Sequence, residues 1–136
     1  MLFLTIKKRH DFLRIGKENL RFHSKTTLIL ASKTPKQYLN NPRTKNVVDV
    51  CRIGYTVSKM VGNSVIRNRV KRRYRAAFKE LFTNYALNHY DYILIAKKEA
   101  ATAEYKKLYD DLKFCLKGIT KLLNKDESNK HGSATQ

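Results

Sequence analysis

Residues Gly62–Phe78 read GNSVIRNRVKRRYRAAF, and the spacing of their apolar members decides what this chain folds around. Set at about 100° per residue, Ile66, Val70, Tyr74, Ala77 and Phe78, with Leu81 just beyond, share one arc of roughly a third of the circumference. Asn68, Lys71, Arg72, Arg75 and Lys79 fall opposite, Arg69 and Arg73 flank one border, and Arg67 sits at the other. Asn63 or Ser64 supplies an N-cap, so the spacing predicts a helix running to about Phe82. Such a helix docks by one face and turns almost pure cation outward.

Upstream, Val47–Ser58 (VVDVCRIGYTVS) alternates, with Cys51, Ile53, Tyr55 and Val57 on one face and Arg52, Gly54 and Thr56 on the other. That pattern predicts a half-exposed strand whose open face is polar or slightly basic. Residues 34–46 (TPKQYLNNPRTKN) hold both prolines and several asparagines, which marks a long exposed loop. Thr26–Ser32 (TTLILAS) is a β-rich apolar run, and Lys7–Ile15 (KKRHDFLRI) a short helix that Gly16 is placed to stop.

Downstream, Tyr90–Ala96 (YDYILIA) is a continuous apolar run, the mark of a central strand buried on both faces. Thr102 is positioned to cap a last helix, with Glu104 in its first turn. Leu108, Leu112, Cys115, Leu116, Ile119, Leu122 and Leu123 make an i,i+3,i+4,i+7 stripe, read as core packing because it is too short for sustained heptads. Lys125–Gln136 has no large apolar residue and is expected to be disordered. The order is α-β-β-α-β-α, or α-β-β-β-α-β-α if the region 47–58 divides. This is an α+β class with about four strands, one domain over 1–124 and a disordered tail over 125–136.

The chain carries 29 Lys+Arg against 11 Asp+Glu, a formal charge of +18, and a pI near 10.1. So much like charge on a small domain repels itself, so a polyanionic partner is the natural reading. A merely solvated helix face mixes signs, because i,i+4 pairs of opposite charge stabilise a helix and like pairs do the reverse. From Arg43 to Lys79 the only acid is Asp49, so the counter-charge must come from outside. An anionic membrane fits poorly, because the apolar arc is needed to cover the sheet and the chain has no tryptophan. Arginine predominates across Arg67–Arg75, and its planar fork suits phosphate and base stacking. DNA recognition would bring dimerisation heptads or a helix-turn-helix, and neither accompanies this helix. RNA is therefore the favoured polyanion.

Other chemistry is thinly represented. Cys51 and Cys115 lie inside apolar patterns and read as small buried hydrophobes of a reducing compartment. No metal-ligand spacing occurs, and His10 and His23 show no spacing that makes them an acid–base pair. Asp110 and Asp111, adjacent on a helix, point apart and cannot hold a metal pair. The opening MLFLTIKKRH places its charges after a short apolar run and resembles neither a signal peptide nor an anchor, so a cytoplasmic protein without a membrane partner is expected.

The run Arg52–Phe78 (RIGYTVSKMVGNSVIRNRVKRRYRAAF) resembles the bacterial ribonuclease P protein component. The likeness rests on Arg67, Asn68 and Arg69 followed by Lys71, Arg72 and Arg75, and it extends from KRHDF through DYILIAKK to the leucine-striped last helix, about residues 5 to 123. The resemblance implies a compact two-layer α/β sandwich in which the arginine helix forms a left-handed crossover between parallel strands. Chain-handedness rules alone would favour a right-handed one. It also implies that the protein binds the ribonuclease P RNA subunit, and that this ribonucleoprotein removes the 5′ leader from precursor tRNA by hydrolysis. Catalysis there belongs to the RNA and to magnesium held mainly by RNA, so no catalytic residue and no protein-bound cofactor or metal is expected. The protein would hold the leader, strengthen precursor binding and lower the magnesium requirement. Carried onto this sequence, Arg69, Lys71, Arg72, Arg73 and Arg75 would meet the catalytic RNA, and Phe12, Lys8, Arg9, Arg67 and Asn68 the leader. Members often carry a second aromatic four residues after Phe12, where this chain has Gly16. The alternative from another class is a ribosome-associated or structural RNA-binding protein with no part in cleavage.

Overall fold

A computed structural model describes residues 2–17, 20–39 and 49–134. Five strands, β1 (Leu2–Thr5), β2 (Arg21–His23), β3 (Thr27–Lys33), β4 (Val50–Thr56) and β5 (Tyr90–Ala96), form one sheet in the order β1-β4-β5-β3-β2. Three helices, α1 (Arg9–Lys17), α2 (Ser64–Tyr85) and α3 (Tyr105–Ala134), pack on it. The class is the α+β one read from the sequence, with a sheet packed against helices, and the element order differs in detail.

β5 is the middle strand, antiparallel to β3 on one side and parallel to β4 on the other, as its continuous apolar run requires. β4 and β5 are joined through α2, a β-α-β unit. The additional strands are β1, parallel to β4 with Leu2 opposite Val50, and β2, antiparallel to β3 with Phe22 opposite Ile29. Four and three residues are too few to show a period, so both edges escape a reading based on alternation. Region 47–58 holds the single strand β4 in its described part, residues 49–58.

α2 begins as expected: Asn63 is the N-cap, its side chain accepting from the Ile66 N–H at 3.0 Å. It runs on to Tyr85, three residues past the expected end, where Thr120 Oγ1 of α3 donates to the Tyr85 carbonyl at 2.6 Å. Gly16 does not stop α1, which continues to Lys17; glycine costs a helix only about 1 kcal/mol. Thr102 does not cap α3. It closes a short 3₁₀ turn at Lys98–Ala101, and α3 starts at Tyr105, so Glu104 precedes the first turn. α3 also extends into the stretch 125–136 expected to be disordered, because adding residues to a formed helix costs far less than starting one. Residues 135 and 136 lie outside the described chain, as do 40–48, most of the loop expected at 34–46.

The sheet divides two cores. Tyr92, Leu94, Ile29, Ala31, Cys51 and Ile53 point to the larger, where α2 brings Val70, Tyr74, Ala77, Phe78, Leu81 and Phe82 and α3 brings most of its leucine stripe. Leu122 of that stripe stays half-buried. Residues one step along the same strands, Leu30 and Ile93, turn the other way and pack with Ile6, Phe12 and Ile15 under α1. Both cysteines are buried and outside any disulfide, Cys115 donating its thiol to the Thr27 carbonyl, with burial pushing both pKa values up.

Here one expectation fails. The face of β4 carrying Arg52 and Gly54 is not open: Arg52 is only 5% exposed and Gly54 is buried. α1 lies across it, and Arg52 is tolerated inside because two carboxylates meet it there.

Candidate nucleic-acid interface

The outer face of α2 is built as its sequence period requires. Asn68, Arg72, Arg75 and Lys79 are exposed, Lys71 and Arg67 half-buried, and the helix has no acid before Glu80. Neighbouring cations at this density repel, so the face is a preformed anion-seeking surface held in place by the apolar arc beneath it.

The structure divides the expected RNA-facing set. Arg69 Nη2 donates to the Ala101 carbonyl at 2.8 Å, and Arg73 Nη1 to the Ala103 carbonyl at 2.9 Å. These two arginines pin α2 to the turn between β5 and α3. Arg75 instead lies over the Tyr55 ring, with its guanidinium carbon 5.8 Å from the ring centroid. Arg72 is exposed to solvent.

The expected leader set is spread over two elements. Lys8 and Arg9 are exposed at the start of α1, while Phe12 is half-buried with its ring on Gly54. Arg67 and Asn68 belong to α2, which covers the opposite sheet face, so no single face carries Phe12 with that pair. The elements approach through the chain: Gly54 lies near the end of β4, and seven residues after Thr56 lead into α2. His10 and His23 are separate, with Nε2 of His10 3.1 Å from the Tyr38 hydroxyl and Nδ1 of His23 3.1 Å from Lys97 Nζ.

A buried polar network under α1 went unread in the sequence. Arg52 Nη2 donates to Asp11 Oδ2 at 2.9 Å, and Arg52 Nε lies 3.6 Å from Asp91 Oδ1. Arg14 Nη2 donates to Asp91 Oδ2 at 2.6 Å, and the Thr34 hydroxyl to Asp91 Oδ1 at 2.7 Å. Burial pushes the Asp91 carboxyl up, and Thr34, Arg52 and Arg14 offset only part of that. Burial raises Asp11 too, but the Arg52 hydrogen bond and the charges of Arg52, His10 and Arg14 outweigh it, leaving its pKa below the ordinary 3.8. One signal was available: an acid inside an apolar strand buried on both faces requires a cationic partner. The single acid Asp91 in YDYILIA called for a cation or hydrogen-bond donors against it.

This geometry, a cationic α2 crossing from β4 to a parallel β5, meets its match among known proteins. The sequence model of the Ribonuclease P family matches residues 3–120. The chain belongs to the ribonuclease P protein component family.

Among this family's members, the ribonuclease P protein component of Paramagnetospirillum magneticum is 36% identical over 114 residues, covering 84% of this chain and 80% of that one. That of Bartonella quintana is 31% identical, covering 93% and 91%. The solved RNase P protein of Staphylococcus aureus superposes with a TM-score of 0.66 at 29% identity, covering 83% of this chain and 92% of that one. The RNase P protein from Thermotoga maritima, at 22% identity and a TM-score of 0.66, shares the fold. Membership in the ribonuclease P family implies a role in tRNA processing as a protein component of an endoribonuclease. Among the described residues, no helix is long and apolar enough to cross a membrane.

Proposed function

We propose that this chain is the RNA-binding subunit of a ribonuclease P ribonucleoprotein, in which the RNA supplies the active site for removing the 5′ leader of precursor tRNA. The observation that carries the reading is the outer face of α2, where Arg72, Arg75 and Lys79 stand exposed with no acid among them. Arg72, Arg75 and Lys71 contact the RNA subunit, while Arg69 and Arg73, tied to the turn before α3, hold the helix at its angle and add to its field. The leader runs past Lys8, Arg9 and Phe12 and rounds the end of β4 toward Arg67 and Asn68. Single-stranded RNA is held in this way by cations with an aromatic platform.

Among the described residues, the buried carboxylates of Asp11, Asp91 and Asp111 each pair with cations or hydroxyls of the fold, Asp11 with Arg52, Asp91 with Arg14 and Thr34, and Asp111 with Thr26 and Lys107, which supports a structural role for them. Magnesium in the assembled enzyme is held mainly by RNA.

The test is reconstitution with the cognate RNA subunit. The protein alone, with precursor tRNA and magnesium, should leave the mature 5′ end uncut, and adding the RNA subunit should restore the cut at lower magnesium than RNA alone needs. A site-specific cut by RNA-free protein would overturn the reading. Recovery of ribosomal subunits from cells in place of one RNA of a few hundred nucleotides would favour a ribosome-associated protein.

A further inference from the structure

α3 carries a second run of cations, separate from those on the outer face of α2. Lys113, Lys117, Lys121 and Lys125 follow one another at four-residue intervals, so each stands about one turn beyond the last. Like charges so spaced destabilise a helix. Neither Lys117 nor Lys121 has an acid three or four positions away on either side, and both are exposed. The cations here are also of one kind, since the chain has no arginine after Arg75.

This ridge borders a pocket of about 430 Å³ between the end of α2 and the middle of α3. Its walls include Asn84, Tyr85, Leu87, Lys117, Thr120 and Lys121. Tyr85 gathers the charges: Lys117 Nζ lies 5.3 Å from the centroid of its ring and Lys113 Nζ 5.9 Å, both within cation–π range. Two ammonium groups drawn to one ring, with Lys121 on the pocket wall, concentrate positive potential there.

The end of α2 does not account for these lysines. Cations near a helix C-terminus commonly serve its last carbonyls. Here the Phe82 carbonyl accepts from the Ala86 N–H at 2.9 Å, and the Tyr85 carbonyl from Thr120 Oγ1 at 2.6 Å. The lysine charges are left to an anion from outside.

The pocket adds what that anion must carry. Leu87 and the Tyr85 ring are apolar walls, and the Asn84 amide offers a donor beside an acceptor. Lysine meets a phosphate as a point charge, and an aromatic wall stacks an unpaired base of any sequence. An acidic peptide would meet the lysines, but it brings a flat, edge-bonding ring only through particular side chains. Every nucleotide of RNA brings one beside its phosphate. The volume falls in the range of small-ligand pockets.

We propose that the α3 ridge is a second surface for the RNA subunit, where Lys113, Lys117 and Lys121 hold backbone phosphates and the pocket beside Tyr85 takes one unpaired base. It rests on RNA being the partner. α2 and α3 cover the same sheet face, opposite to Phe12, so RNA held by α2 can continue onto α3. Tyr85 lies ten residues, about 15 Å of helix, beyond Arg75.

The test titrates the full-length protein with a 5′-phosphorylated uridine trinucleotide, a hexaglutamate peptide and inorganic phosphate, followed by NMR of backbone amides. Saturable shifts at Tyr85, Leu87, Lys117 and Lys121 are expected with the trinucleotide and not with the other two. Tyr85→Leu keeps the lysines and should weaken the trinucleotide at these amides by about fivefold or more. Should that variant fail to fold, Lys117→Gln with Lys121→Gln changes exposed residues alone. The pair should weaken the trinucleotide by about tenfold or more through two lost phosphate contacts, while shifts around Arg72 persist. In binding to the cognate RNA subunit, the same pair should reduce the slope of log affinity against log salt by about one to two units. No saturable shift at these amides, equal shifts with hexaglutamate or phosphate, or an unchanged salt slope would overturn the ridge. Shifts around Arg72 that survive beside a silent ridge overturn the ridge alone. Loss of both would overturn the RNA-binding reading itself.

Discussion

The ring of Phe12 rests on the backbone of Gly54: a Cβ built at Gly54 falls 2.8 Å from Cζ and 2.9 Å from Cε1 of that ring, and 3.3 Å from Cβ of Ile6. Glycine at this point of β4 is what lets α1 lie close to the sheet. Gly54→Ala should therefore lift Phe12, at a cost of roughly 1–3 kcal/mol from overpacking. Chemical denaturation measures it. Adding Phe12→Leu should recover part of the loss, and a Gly54→Ala protein as stable as the parent would mean the ring moves aside freely.

The same packing sets what Phe12 can offer to RNA. Phe12 is only half-buried, so part of its side chain can meet RNA. Base–aromatic stacking is worth about 1–3 kcal/mol, about five- to hundredfold in affinity. Phe12→Ala should weaken precursor tRNA with a leader to that extent in the reconstituted enzyme and leave mature tRNA unchanged. Equal losses for both substrates would assign Phe12 to packing alone.

Arginines on α2 should separate into two kinds. Arg72→Ala and Arg75→Ala should lower affinity for the RNA subunit and reduce the slope of log affinity against log salt by about one unit or less each, with folding nearly intact. Arg73→Ala removes the hydrogen bond to the Ala103 carbonyl and should cost about 1 kcal/mol of stability. Binding isotherms at several salt concentrations, paired with thermal melts, distinguish the two. A salt slope untouched by Arg72 and Arg75 would show that the outer face is idle.

Asp111 ties α3 to the start of β3. Its Oδ2 accepts from the Thr26 hydroxyl at 2.5 Å and the Thr26 N–H at 3.2 Å, and Lys107 Nζ stands 3.1 Å from Oδ1. Burial raises its pKa, but these bonds and the lysine charge outweigh burial and hold it below the ordinary 3.8. A depressed carboxyl stabilises the fold above its unfolded pKa, and that contribution is lost as pH falls through the folded value. Asp111→Asn should thus be less stable than the parent at pH 6, with the gap closing as pH drops below about 3.8. Urea midpoints across that range report it, and a gap independent of pH would show that the charge contributes nothing.

Much of this architecture is written in local periods. The arc Ile66–Leu81 fixed which side of α2 is buried, the run YDYILIA fixed the middle strand, and the stripe from Leu108 fixed how α3 docks. The shortage of acids between Arg43 and Lys79 points to a polyanion from the sequence alone. Each of these signals repeats within a few residues, so a linear reading captures it.

Tertiary structure alone decided the rest. β1 and β2 exist because β4 and β3 offer them edges to pair with, and their own few residues carry no period. Arg52 read as a solvent-facing cation and became a buried one, because Asp11 and Asp91 reach it from 41 and 39 positions away in sequence. Arg69 and Arg73 looked like their neighbours on the helix, yet the carbonyls of Ala101 and Ala103 turn them into tethers. A charge's role depends on what stands opposite it, and long-range packing places that partner where no local pattern records it.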